Sequence, residues 1–279
     1  MNLPDFSNQT PRAIALDLDE TTLNSRARLN DRTRDVLHAI HKLTVPIIIA
    51  TSRPQRVLST LVGDDILEIS SLVQMNGTVA TGRAGLHGHF KKNLALNDAR
   101  RCWDLAEKYA PWARRTLEVD GNQFAVSHDD DIKELWAFDH STSPIVIPFK
   151  TAMKIKPAKI SINGVKRDLE TLAAILEQEL SDKTVVFRAA NKLFLNVVPT
   201  TASKSLAIDD LLKNTDISLA DVLSFGDDFV DIDLMRDCGW SVAMDNAIPE
   251  IKNIAKYQTA SNDNNGVAIV LERLILALS

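Results

Sequence analysis

Two aspartates, Asp17 and Asp19, close the short apolar run Ala13-Ile14-Ala15-Leu16. That run reads as a buried strand. Residues i and i+2 of a strand face the same side, so both carboxylates can address one site. Carboxylates this near repel each other, and one is driven to hold a proton. A divalent cation removes the conflict, and an all-oxygen donor set suits magnesium. A second acidic cluster, Gly226-Asp227-Asp228-Phe229-Val230-Asp231, follows another apolar run, Val222-Leu223-Ser224-Phe225. Helix capping, worth about 1 kcal/mol, accounts for one aspartate there but not for acids at two strand ends. Thr51-Ser52-Arg53 follows a third run, Ile47-Ile48-Ile49-Ala50. Its hydroxyls and backbone N–H groups could hold a phosphate at a helix N-terminus. Capping by Ser52, with Pro54 in the first helical turn, is the rival reading of that segment. Lys204, in Ser203-Lys204-Ser205, precedes a helical pattern of Leu206, Ile208, Leu211 and Leu212. A cation there would balance acidic charge and hold a phosphate oxygen.

The elements that must carry these residues alternate. After Ala13–Leu16, Asn30 is placed to cap a helix whose apolar face is Val36, Leu37, Ile40 and Leu43. The Ile47–Ala50 strand follows, then a helix opened by Pro54 with Val57, Leu58 and Leu61 on one side. A third strand, Leu72-Val73-Gln74-Met75, is stopped by Asn76-Gly77. Strand, helix, strand, helix, strand is the pattern of a parallel sheet covered on its faces. It returns near the C-terminus in Val222–Phe225, a helix from about Asp231 to Cys238-Gly239, Ser241–Met244 and a last helix through Val267, Val270, Leu271, Leu274 and Leu278. The stretch 82–189 differs. It holds a helix from Asn97, a hairpin signal at Asp120-Gly121-Asn122, a strand at Lys159-Ile160-Ser161-Ile162 and a helix carrying Leu169, Leu172, Leu176 and Leu180. A second hairpin pairs Val185–Phe187 with Leu193–Leu195 around Ala190-Asn191. Hairpins beside helices point to an antiparallel sheet of its own. The expected fold is α/β: a doubly wound, Rossmann-like parallel-sheet core, residues 1–81 and 190–279, interrupted by an α+β domain at 82–189.

Bulk properties bound the function. A chain of 279 residues, 45% hydrophobic and 25% charged, is that of a globular protein with a sizeable core. A formal net charge of -5 argues against nucleic acid as the main partner. The pairs Lys91-Lys92, Arg100-Arg101 and Arg114-Arg115 read as solvated faces. Two distant cysteines, Cys102 and Cys238, build neither a disulfide framework nor a zinc site, and point to the reducing cytosol. No signal peptide or bilayer-spanning run is visible, so a cytoplasmic protein without membrane contact is expected. Oligomeric state is not legible.

Asp17, Thr51, Lys204 and Asp227 thus fall in four segments that can meet at one sheet edge. Their order and context resemble the haloacid dehalogenase superfamily, and more narrowly its Cof-type branch of sugar-phosphate and related phosphatases. In DLDETTL, Asp17 matches the family nucleophile, Asp19 the general acid/base and Thr21 the threonine that follows. Thr51 in IIATSRP matches the hydroxyl that binds the transferring phosphoryl group, with Ser52 and Arg53 beside it. Lys204 matches the lysine that steadies nucleophile and phosphate. Asp227 matches a magnesium ligand, and Asp231 the second acid of that motif, a direct or water-mediated neighbour of the metal. QMNGTV, with Asn76 and Gly77, is similar to the strand and turn before the family's cap. The segments Cys238–Ala247 and Thr259–Ala268 (TASNDNNGVA) are similar to its C-terminal signatures. Five positions depart from the pattern: Glu20 replaces a glycine, Val230 an asparagine, Asp228 a small polar residue, Asn196 an acid and Asp245 a glycine. Val230 and Asn196 are placed to alter support of the metal and of Lys204.

The resemblance implies a magnesium-dependent phosphatase. Magnesium would be held by Asp17, the Asp19 backbone carbonyl and Asp227. Asp17 would attack phosphorus to give an aspartyl-phosphate, and Asp19 would protonate the leaving group and later activate water. The inserted domain would be a cap that excludes macromolecules, leaving a small phosphorylated metabolite as substrate. His128, Trp136, Phe138 and Arg188 are candidate cap contacts, and His87-Gly88-His89 a weak metal candidate. A phosphomutase and a non-catalytic phosphosugar-binding regulator are the alternatives.

Overall fold

The computed structural model describes residues 1–128, 145–189 and 192–279. Fourteen strands are described: β1 Ala13–Leu16, β2 Ile47–Ala50, β3 Ser70–Gln74, β4 Val79–Thr81, β5 His89–Lys91, β6 Arg114–Glu118, β7 Gln123–Val126, β8 Ile145–Val146, β9 Lys159–Asn163, β10 Thr184–Arg188, β11 Phe194–Pro199, β12 Val222–Gly226, β13 Trp240–Ala243 and β14 Tyr257–Gln258. They form two sheets. The first runs β14-β13-β12-β1-β2-β3-β4-β5, parallel from β14 to β3 and antiparallel at β4 and β5. The second runs β10-β11-β9-β6-β7-β8 and is antiparallel except between β7 and β8. β5 extends the first sheet past residue 81, and β11 lies in the second sheet past residue 189. Strand pairing therefore changes over later, at both ends, than the expected limits of the insert.

The central strands of the first sheet are buried on both faces, as their unbroken apolar runs require. The first strand, β1, lies in the middle of this sheet. β1 leads to β2 and β3 on one side, while β12, β13 and β14 fill the other. The order therefore reverses between β1 and β12, and a crevice opens there at the carboxyl ends of the strands. Leu16 is in register with Phe225 across that junction.

In the second sheet the two faces differ. Leu117, Ile160, Ile162, Leu195 and Val197 turn one way into a core with Trp103, Ala106, Leu172 and Leu176. The alternate residues Glu118, Lys159, Ser161 and Asn196 turn the other way, toward the first sheet's crevice. Arg56, in the turn after β2, joins the two halves. Its guanidinium meets Glu118 through two bonds of 2.7 Å, stacks 3.9 Å from the Phe124 ring centroid, and its backbone N–H donates to Gly121.

Local differences from the sequence pattern have physical reasons. Asn30 precedes the helix Asp31–Lys42 but does not cap it with its side chain, which instead bonds Asn24 and Asn265. The helix expected from Pro54 is a short turn, Gln55–Val57, then Leu58–Val62 and Asp64–Glu68, broken by Gly63 at φ 86°. Arg115 is buried with its guanidinium over the Trp103 ring, not on a solvated face. Ala190, Asn191, Trp136 and Phe138 lie outside the described residues.

Candidate active site

Asp17 leaves β1 and Asp227 leaves β12, so the two acids stand side by side at the reversal point. Between them and the helix Lys204–Leu212 lies a buried ion cluster. Lys204 Nζ donates to Asp17 Oδ1 at 2.5 Å and to Asp231 Oδ1 at 2.6 Å. Asp231 Oδ2 accepts the backbone N–H of Asp227 at 3.1 Å and of Asp228 at 3.3 Å. Both Asp231 oxygens are thus engaged in fixing the loop and the lysine. Thr21 Oγ1 donates to Asp227 Oδ1 at 2.6 Å, and Thr22 Oγ1 to the Asp17 carbonyl.

Two glycines make this closeness possible. A Cβ on Gly226 would meet Asp231 Cγ at 2.7 Å. A Cβ on Gly77, at φ +84°, would meet the Ser203 carbonyl oxygen at 2.0 Å. The turn after β3 thus presses against the loop that launches Lys204. Gly77→Ala should cost about 1–3 kcal/mol through the strained φ and the clash. It should lower kcat as Lys204 is displaced; denaturant melts and steady-state kinetics check both.

The other expected residues also gather here. Thr51 ends β2, and its hydroxyl accepts the Arg53 backbone N–H at 3.0 Å. Ser52 caps no helix, and its carbonyl accepts from Lys159 at 2.8 Å. Arg53 faces Asp19, with Nη2 at 2.8 Å from Oδ1 and Nε at 3.0 Å from Oδ2. Asn76 is buried in a left-handed conformation at φ 61° beside Thr51, to whose carbonyl its backbone N–H donates. Its side-chain amide has no hydrogen-bond partner.

The departures from the family pattern resolve differently. Glu20 adopts the left-handed conformation, φ 55°, that the usual glycine would take. It is braced by Asn246, which donates to its carbonyl, and by Asn262, which donates to Oε2 and to the Leu23 carbonyl. The C-terminal signatures thus hold the first acidic loop from behind. Asn196 does not touch Lys204; it accepts from Ser161 at 3.0 Å in the second sheet. Val230 lines the crevice. Asp245 lies outside the cluster, where Gln258 donates to it. Arg188 is tied to Glu177 on the surface, and His89 to Thr81 at the edge of the first sheet.

Charge in the cluster is unbalanced. Burial, then Asp231 and Asp19, drives the Asp17 carboxyl well above its ordinary range, against the pull of Lys204. Burial and the Asp17 and Asp231 charges push Asp227 to about 9. Burial works against the Lys204 ammonium, yet Asp17 and Asp231 overcome it and hold the lysine charged. Asp17, Asp227 and Asp231 each offer an oxygen within 4.8 Å of the others. Three buried carboxylates with one ammonium among them fit a hard divalent cation, which removes the repulsion that raises Asp17 and Asp227.

This yields a pH dependence. Asp227 binds its proton more tightly folded, at about 9, than at the ordinary 3.8. Its contribution is fully present below the lower value and is lost as pH rises through the upper one. The metal-free protein should therefore lose stability across that window, and an added divalent cation should raise the melting temperature more at about pH 8 than at about pH 6. Differential scanning fluorimetry reads both slopes, and Asp227→Asn should flatten them.

A cavity of about 330 Å³ opens over the cluster. Asp17, Asp19, Arg53 and Asp227 form its floor, and Lys159, Ser161 and Asn196 its roof. Of the roof residues, Asn196 was singled out in the sequence for another role, and Lys159 and Ser161 were not singled out. Their signal was the strand Lys159-Ile160-Ser161-Ile162, whose alternation puts two polar residues on one face opposite two isoleucines.

The chain matches the haloacid dehalogenase-like hydrolase family over residues 14–271. It is 27% identical to the Bacillus subtilis protein YxeH over 95% of this chain and 99% of that one. It is 29% identical to the 5-amino-6-(5-phospho-D-ribitylamino)uracil phosphatase YwtE of the same organism, over 95% and 98%. A haloacid dehalogenase-like hydrolase from Bacteroides thetaiotaomicron superposes with a TM-score of 0.78 at 25% identity, covering 95% of this chain and 100% of that chain. No helix among the described residues is long and apolar enough to cross a membrane. The chain belongs to the haloacid dehalogenase-like hydrolase family.

Proposed function

We propose that this hydrolase is a magnesium-dependent phosphatase of small phosphorylated metabolites that forms an aspartyl-phosphate on Asp17. Its assignment as a phosphoric monoester hydrolase rests on the family match and on relatives such as YwtE. The observation that carries the rest is the ion cluster: Asp17 at the strand-order reversal, held by Lys204 and facing the cavity between the two sheets. Asp17 Oδ1 is fixed by the lysine, which leaves the second oxygen to attack phosphorus. Lys204 is placed to stabilise charge on the transferring group. Asp19, at the cavity floor, delivers a proton to the leaving oxygen once Arg53 turns to the phosphate, and then takes one from the attacking water. Thr51, Ser52 and the backbone beside Asn76 supply further donors. Asp17, Asp227, the Asp19 carbonyl and, at its margin, Asp231 would hold magnesium, which supplies charge neutralisation at the phosphoryl oxygens.

In the same proposal the second sheet is the cap. It covers the floor through Arg56–Glu118 and Lys159–Ser52, excludes bulk water and selects the leaving group. Its span follows the strand pairing, from the end of β5 to the end of β11. A cytoplasmic location accords with Cys102 and Cys238 being buried free thiols.

Phosphate release from p-nitrophenyl phosphate and a panel of phosphorylated metabolites, with magnesium and with chelator, tests the reading. Magnesium-dependent release supports it. Transfer of the phosphoryl group to a second hydroxyl of the product pool, without free phosphate, would mark a mutase instead. Metal-dependent binding without turnover would mark a regulator.

A further inference from the structure

At the roof of the cavity, Lys159 has no carboxylate partner within ion-pair distance among the described residues. Lys159 opens β9 with only 3% of its surface exposed, and its Nζ donates to the Ser52 carbonyl at 2.8 Å. Glu118 stands directly across from it on β6, but both Glu118 oxygens are taken by Arg56. The other cations around it are paired: Arg53 with Asp19, and Lys204 with Asp17 and Asp231. Among the described residues Lys159 has a neutral carbonyl and no carboxylate within ion-pair distance. A buried ammonium in that state is costly until an anion reaches it.

The neighbours on the same face are arranged for a polar ligand. Ser161 lies two residues on and also lines the cavity. Its hydroxyl donates to Asn196 Oδ1, which leaves the Asn196 amide N–H groups as donors toward the cavity. The reverse face of these strands is packed with Ile160, Ile162 and Leu195, so the roof cannot rotate away without losing that core. Burial pulls the Lys159 ammonium down to about 7, against Glu118 and with Arg53, Arg56 and Lys204 adding repulsion. An arriving anion reverses that balance.

We infer that Lys159, flanked by Ser161 and Asn196, receives a second anionic group carried by the leaving group, so that phosphate monoesters bearing a second anionic group are the preferred substrates. The second group is a carboxylate or a further phosphoryl group. The inference rests on the phosphatase reading of the same cavity, with the transferred phosphoryl on the floor at Asp17 and the second anion at the roof.

The test compares 6-phosphogluconate and fructose 1,6-bisphosphate with glucose 6-phosphate and p-nitrophenyl phosphate, in wild-type protein and in Lys159→Met, Lys159→Gln and Lys159→Arg. Wild type should favour one or both compounds with a second anionic group, 6-phosphogluconate and fructose 1,6-bisphosphate, in kcat/KM by about 10-fold or more. The compound favoured tells a carboxylate from a second phosphoryl group. Lys159→Met and Lys159→Gln should erase that preference, and Lys159→Arg should keep part of it. Equal losses on all four compounds would overturn the inference, since Lys159 would then serve the shared phosphoryl group or cap closure. So would the absence of any preference in wild type. Binding of the first three compounds to magnesium-loaded Asp17→Asn protein, by calorimetry, separates this from the reaction itself. Tighter binding of a compound with a second anionic group, lost on adding Lys159→Met, upholds the roof site even if wild type releases no phosphate. Equal binding of all three overturns it.

Discussion

Asp17→Asn should lower phosphate release by about 10⁴-fold or more while the protein folds normally. The amide has the shape of the carboxylate and can still accept from Lys204, but it cannot form the aspartyl-phosphate. Loss of the negative charge also removes a group that burial and the charges of Asp231 and Asp19 disfavour. Lys204 keeps Asp231 as its partner at 2.6 Å. The metal-free variant should therefore melt at or above the wild-type temperature, while magnesium should raise its melting temperature less than it raises that of wild type. An inactive variant that is also unfolded would say nothing of chemistry, so the melt is part of the measurement. Substantial residual release from folded Asp17→Asn would remove Asp17 from the nucleophile role.

Much of this site could be read before any coordinates because it lies where backbone rules act. Asp17 follows four apolar residues and Asp227 follows a buried apolar strand interrupted only by Ser224, and such runs become central parallel strands. Their carboxyl ends are where an open α/β sheet binds ligands. The residues alone marked Lys204 only as a cation placed to balance acidic charge, and the family pattern tied it to Asp17, because its bonds to Asp17 and Asp231 span long stretches of chain that no local rule connects. The contacts that close the cavity were harder still. Arg56–Glu118 and Lys159–Ser52 join two sheets, and their existence depends on how one sheet sits over the other. Asn30 shows the same limit at small scale. Its type and place are those of a helix cap, yet Asn24 and Asn265 offer its side chain better partners. Asn196 was assigned to the support of Lys204 from its position in the motif, but strand alternation turns it to the roof beside Ser161.

Lys204→Met should damage both stability and activity, and the pH dependence of the damage identifies the cause. The substitution keeps most of the side-chain length in a site where Lys204 is 1% exposed, but removes the one ammonium among the three acids. Breaking a buried ion pair from one side costs about 3–5 kcal/mol, because the remaining charge stays desolvated. Here the remaining groups are carboxylates, which can escape by taking up protons. Asp17 is already driven upward by burial, and without the lysine it must rise further. A raised folded-state value favours the folded protein at low pH and loses that advantage as pH rises. The destabilisation should therefore be largest in alkaline solution, shrink as pH falls, and be partly relieved by magnesium. Turnover should fall about 10²–10³-fold from loss of one donor to the transferring group. Adding Asp231→Asn to Lys204→Met separates the two effects. The double variant should regain stability, since one uncompensated charge is gone, and should regain no activity. Denaturant melts across pH, with phosphate release at saturating magnesium, measure both; a loss independent of pH would point to packing instead of charge as the lysine's contribution.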